Sequence, residues 1–124
     1  MDMQQLTEKA QNILSEKYSD EDWSTYSFPE YVYSNESVET GYKVAVKEPE
    51  LLKSQTCYCF CEAVGHESLL YCFFKNGDPE AGFDSHASNC NICYSQALRA
   101  LVFRDAGYTP EQIQQGFQRM YGHE

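Results

Sequence analysis

The chain predicts a small all-α protein, a single helix-rich domain over residues 1–124 with a cysteine-rich loop region inside it. A length of 124 residues suits one core and is too short for two of ordinary size. Apolar residues recur at helical spacing in four separate stretches. The strand–helix alternation of a parallel sheet is missing.

The first helix is expected over residues 4–18, where Leu6, Ala10, Ile13 and Leu14 share a face and Thr7, Glu8, Lys9, Glu16 and Lys17 lie outside it. Residues 19–35 mix aromatics with Ser, Asp, Glu, Asn and Pro29 and show no period; Phe28 to Tyr33 can be a short strand or an irregular segment. A second helical stretch covers residues 38–53. Ser37 stands as its cap, Val38, Tyr42, Ala45 and Val46 form its stripe, and Pro49 interrupts it or starts a new turn. The run Leu69 to Phe74 is too short to type, and Lys75 to Glu80 reads as a turn. The clearest helix spans 89–106, capped by Ser88 or Asn89, apolar widely enough to be nearly central, and stopped by Gly107. Thr109-Pro110-Glu111-Gln112 then opens a helix over 110–121, with Ile113, Phe117, Met120 and Tyr121 on one face. There is no internal repeat and no linker.

The formal charge of −10 repels phosphate backbones and anionic lipid headgroups, so nucleic acid is a poor partner; cations or a basic protein fit the field better. Ten tyrosines serve equally in half-buried faces and at partner surfaces. No apolar stretch is long enough to span a bilayer, and Met1 to Gln5 lacks the basic start and apolar run of a signal peptide. That reads as a soluble chain, or as one whose targeting segment has been replaced by a methionine.

All six cysteines, Cys57, Cys59, Cys61, Cys72, Cys90 and Cys93, lie between residues 57 and 93, together with His66 and His86. Thiolates so concentrated suit a soft metal better than a hydrophobic core. They can also close as up to three structural disulfides, or stay as buried thiols, and spacing does not reveal connectivity. Cys90 and Cys93 stand three apart at a helix start, on one face near its positive end, which suits a ligand pair or an active dithiol. His86 can fold back toward them. Cys57, Cys59 and Cys61 alternate with Tyr58 and Phe60; extended, their outer sulfurs would be roughly 13 Å apart, so converging on one ion needs a turn. Cys72, beside Tyr71, Phe73 and Phe74, alone would read as a core cysteine. His66 is a ligand, a donor to one, or a surface histidine. His123 lies outside the cluster. Asp78, Glu80 and Asp84 lack the spacing of a calcium loop and read as a solvated acidic loop.

No phosphate loop, His-Glu-x-x-His or nucleophile elbow is present, so the sequence favours binding over catalysis. Cu(I) is the first choice of metal and Zn(II) a close second, in binding, delivery or sequestration; an iron–sulfur cluster ranks below them. The alternatives are a disulfide-stapled extracytoplasmic interaction module and a dithiol redox or electron-transfer protein.

The order of these residues resembles the bacterial proteins and lipoproteins bearing a Pro-Cys-Tyr-Cys-Gly-Cys motif. The likeness rests on Thr56-Cys57-Tyr58-Cys59-Phe60-Cys61, on Gly65-His66-Glu67-Ser68-Leu69 leading to Cys72-Phe73, and on Asp84-Ser85-His86-Ala87-Ser88-Asn89-Cys90 with Cys93. It extends over residues 36–121, a cysteine-rich family-like core. Thr56 stands in place of the motif's proline and Phe60 in place of its glycine, a change in turn-shaping residues rather than in ligands. The resemblance implies an extracytoplasmic, cell-envelope protein whose membrane contact runs through a removed N-terminal lipid anchor.

Overall fold

The computed structural model describes residues 2–56 and 68–121. Among them the chain forms α1 (Met3–Lys17), α2 (Glu36–Lys47), α3 (Pro49–Lys53), α4 (Asn91–Asp105) and α5 (Pro110–Tyr121), joined by short 3-10 turns. No strand occurs among the described residues beyond one isolated antiparallel bridge, Phe74 to Phe83. The expected all-α, helix-rich domain is what forms. No helix among the described residues is long and apolar enough to cross a membrane.

Helix α4 is the hub. Cys93, Ala97, Leu98, Ala100 and Leu101 are buried on it along with the polar Ser95 and Gln96, so it is covered round most of its circumference by α1, α2 and α5. The neighbours bury their stripes in the same core: Leu6, Ala10 and Leu14 from α1, Val38, Tyr42 and Ala45 from α2, Ile113 and Phe117 from α5. Each fully buried large side chain of this kind contributes roughly 1.5–3 kcal/mol relative to exposure. Gly41 sets how closely α2 approaches. A Cβ there would lie 3.1 Å from the Cβ of Tyr94, so a hydrogen at this position lets α2 rest on the first turn of α4.

The caps decide where the helices begin. The Asp2 carboxylate accepts from the Gln5 amide at 2.8 Å and the Gln5 side chain accepts from the Asp2 amide at 3.1 Å, a closed capping box. Thr109 and Gln112 repeat this arrangement at α5, as the sequence predicts, at 3.2 and 2.9 Å. The face of α5 is narrower than expected: Ile113 and Phe117 are buried, Met120 is 46% exposed, and the side chain of Tyr121 lies outside what is described. At α2 the cap is Asn35, not Ser37. Asn35 is extended and accepts from the Val38 amide at 2.9 Å, while the Ser37 hydroxyl meets that of Thr7 on α1 at 2.8 Å. A tertiary contact thus claims the nearer cap former. At α4 the cap position is Cys90 rather than Ser88 or Asn89, because His86–Asn89 forms a 3-10 turn in which the Ser88 hydroxyl donates back to the Ser85 carbonyl at 2.6 Å. Residues 28–33 carry no strand: Glu30–Ser34 is a 3-10 turn that buries Val32.

Glu48, at the break between α2 and α3, ties three helices together. It is buried, yet Lys17 of α1 reaches it at 2.8 Å, Arg104 of α4 at 2.6 Å, and the Tyr18 hydroxyl donates to it. Burial alone would raise its carboxyl, but these three donors hold it below the usual range. Burial and the same hydrogen bond push the Tyr18 phenol up to about 12.

Candidate metal centre

The turn-forming stretch after Cys72 builds the site. Asn76 at φ 57 and Gly77 at φ 68 reverse the chain, and a side chain at Gly77 would run into the Tyr71 ring at 2.7 Å. The returning strand of chain is then zipped to the outgoing one: Lys75 N–H donates to the Gly82 carbonyl at 2.9 Å, Asp84 N–H donates to the Phe73 carbonyl at 2.8 Å, and Phe74 bridges to Phe83. Consequently residues 84–86 come back alongside Cys72.

Asp84 fixes the last step. Its carboxylate accepts from the His86 amide at 2.8 Å, an Asx turn that sets the direction of the histidine. Its carbonyl accepts from the hydroxyl of Tyr42, a side chain of α2 that is fully buried. Burial, first, and the negative potential of Tyr31 and Asp84 raise the Tyr42 phenol, so it remains a donor at any physiological pH. The Tyr42 ring packs edge-on against Phe73 at 4.9 Å, and Phe83 stacks on Phe74 at 5.3 Å, giving the site an apolar aromatic wall.

The result is a cluster of soft donors. The sulfurs of Cys72 and Cys93 and an imidazole nitrogen of His86 all lie within 4.8 Å of one another. Both cysteines are fully buried and the histidine is half-buried, so the donors point inward and one edge meets solvent. The Cys72 and Cys93 sulfurs are 3.1 Å apart. An ion bound at about 2.3 Å to sulfur and about 2.0 Å to nitrogen holds its ligand atoms roughly 3.5–4 Å apart, so this trio would seat one ion with shifts of under about 1 Å. The residues fit a soft metal.

Of the sequence-predicted ligands, Cys72, His86 and Cys93 are thus brought together. Cys90 is half-buried at the cap of α4, where its backbone is extended (φ −129, ψ 106), and stands outside that group. Cys57, Cys59, Cys61 and His66, and also His123, lie outside the described residues. On either side of residues 57–67, Leu69 N–H donates to the Gln55 carbonyl at 2.8 Å, and Thr56 is held by Gln96, which donates to its carbonyl at 2.9 Å, and by Gln114, which accepts from its amide at 2.9 Å. Gln96 stands three residues beyond Cys93 on α4, so the chain reaches Thr56 beside the helix that carries a donor.

Two contributors escape a reading by residue type. Asp84 belongs by sequence to an acidic loop, and its turn-forming role was signalled only by its position two residues before His86. Tyr42 reads as one more core aromatic of α2.

These features define a class: a small helical domain that gathers two thiols and an imidazole at the cap of its central helix. A family model described as "Protein of unknown function with PCYCGC motif" matches residues 2–124, and the chain belongs to that family. The match takes in α1, which lies outside the 36–121 stretch carrying the resemblance. No curated protein and no solved structure matches the chain.

Proposed function

We propose that the protein binds a soft metal ion for delivery or sequestration, with Cys72, His86 and Cys93 as ligands. The observation that carries this reading is the convergence of three soft donors within 4.8 Å of one another in the core. Cu(I) is the preferred ion, because two thiolates and an imidazole suit a low-coordinate site, whereas a closed Zn(II) site asks for a fourth donor. The mixture of imidazole with thiolate favours a single ion over an ordinary all-thiolate iron–sulfur cluster. Among the remaining donors read from the sequence, Cys57, Cys59, Cys61 and His66 are proposed as ligands of a further ion in the same unit. A cell-envelope location is proposed on the family resemblance, and the charge of −10 favours a cationic cargo or a basic protein partner.

The test is elemental analysis of protein purified anaerobically without an affinity metal column, followed by titration with Cu(I) and Zn(II) against competing chelators. Stoichiometric binding that is lost in Cys72→Ser and weakened in His86→Ala supports the reading. Wild-type protein that binds neither ion more tightly than the Cys72→Ser variant would sink it. Tighter Zn(II) than Cu(I) binding relative to free thiolate standards would keep the centre and reverse the choice of ion.

A further inference from the structure

Three sulfurs stand in a graded series from solvent to core. Cys90 is half-buried at the cap of α4, Cys93 is fully buried in its first turn, and Cys72 is fully buried 3.1 Å beyond it. Cys90 is the cap and Cys93 the third residue of α4, so a single turn of helix separates them. The Cys72–Cys93 separation exceeds a covalent disulfide by only about 1 Å and falls short of the spacing of two ligands on one ion by roughly 0.7 Å. The pair therefore lies between two end states, metal-bound and oxidised, and both are reached by small movements. A bulky disulfide reagent has access to neither buried sulfur directly.

We infer that the centre undergoes thiol–disulfide exchange with a disulfide-bearing small molecule or protein that reacts first at Cys90, ending as a Cys72–Cys93 disulfide that no longer holds the ion. The discharge of metal rests on the function proposed above; the route of oxidation rests on the sulfur positions. The Cys90 sulfur attacks one sulfur of the reagent, forming a mixed disulfide and releasing one reagent thiol. The Cys93 sulfur then displaces the second reagent thiol and forms Cys90–Cys93. The Cys72 sulfur attacks the Cys93 sulfur and returns Cys90 to the thiol. One reagent disulfide becomes two thiols, two protein thiols become one disulfide, and the two protons lost by the protein appear on the reagent thiols.

The experiment uses the full reduced chain, with and without bound Cu(I), exposed to oxidised glutathione, with disulfides mapped by mass spectrometry and released metal followed by a chromogenic chelator. The expected product is the Cys72–Cys93 disulfide, with metal released in step, and Cys90→Ser slows both at least tenfold. Serine is a good helix cap, so this variant retains the start of α4. Oxidation of Cys90→Ser at the wild-type rate, or a wild-type product that joins Cys72 or Cys93 to another cysteine, overturns the route. If the reduced chain holds no metal yet forms Cys72–Cys93 through Cys90, the proposed metal function falls while the exchange stands.

Discussion

The hydroxyl of Tyr42 donates to the backbone carbonyl of Asp84, joining the buried face of α2 to the loop that carries His86. Across that bond a core aromatic, two helices and a hairpin-like turn become the support of one imidazole. The donors of the site come from segments that meet only because α4 is surrounded, and Tyr42 is the side chain that spans the gap.

Tyr42→Phe keeps the ring against Phe73 and removes the donor, leaving the Asp84 carbonyl without it. Stability is expected to fall by about 1–2 kcal/mol, the usual consequence of a buried polar group losing its partner. Urea unfolding of the metal-free protein measures this directly. An unchanged midpoint would show that the carbonyl is equally well satisfied without the phenol.

Asp84→Ala and Asp84→Asn separate the turn from the charge. Asparagine retains an acceptor for the His86 amide, now held at 2.8 Å, whereas alanine does not. We expect Ala to weaken soft-metal binding by roughly tenfold or more, as loss of a ligand's supporting contacts commonly does, and Asn to stay near wild type. Equal losses in both would mean that the negative charge, not the turn, is what matters.

Gly41→Ala opposes two effects. Helix propensity favours alanine by about 1 kcal/mol, but the new methyl meets the Tyr94 Cβ at 3.1 Å, an atom next to the backbone of α4 that yields only if the helices separate. The strain is expected to win, with a net loss of roughly 1 kcal/mol and a lower melting temperature. A variant that melts higher than wild type would show that α2 can retreat without cost.

Glu48→Gln removes the carboxylate shared by Lys17 and Arg104. Both cations retain partial exposure and can be rehydrated, so the loss at pH 7 is expected at about 2 kcal/mol, below the range for breaking a fully buried pair. The pH dependence has a definite sign. The Glu48 carboxyl is held below its ordinary value in the folded chain, so its stabilisation is full above the unfolded pKa and disappears as pH falls through the folded one. Wild type and variant should therefore converge in stability under acid. A constant difference from pH 7 down to pH 3 would contradict the role given to this carboxylate.

Much of the fold is legible in local signals. The Thr109-Pro110 start and Gln112 three residues after the cap suffice to place α5, because a capping box is satisfied entirely by residues within one turn. The central position of α4 follows from an apolar surface too broad for a helix with a wet face. At Ser37 and at Ser88 or Asn89 several adjacent residues can cap, and the choice falls to competing bonds, a distant one to Thr7 for Ser37 and a local one to the Ser85 carbonyl for Ser88.

By itself the sequence determined that helices form, roughly where they run, and that soft donors crowd one stretch of chain, since periodicity and composition are properties of neighbours. The tertiary structure alone decided which described donors meet. Cys72 and Cys93 are separated by 21 residues and touch because the Phe74–Phe83 bridge closes the intervening loop and α4 lies beneath it. Cys90, only three residues from Cys93, stands outside that trio, at the extended cap that precedes the helix. Distance along the chain sets what can be read locally. Closure of loops and burial of helices set what is near in space.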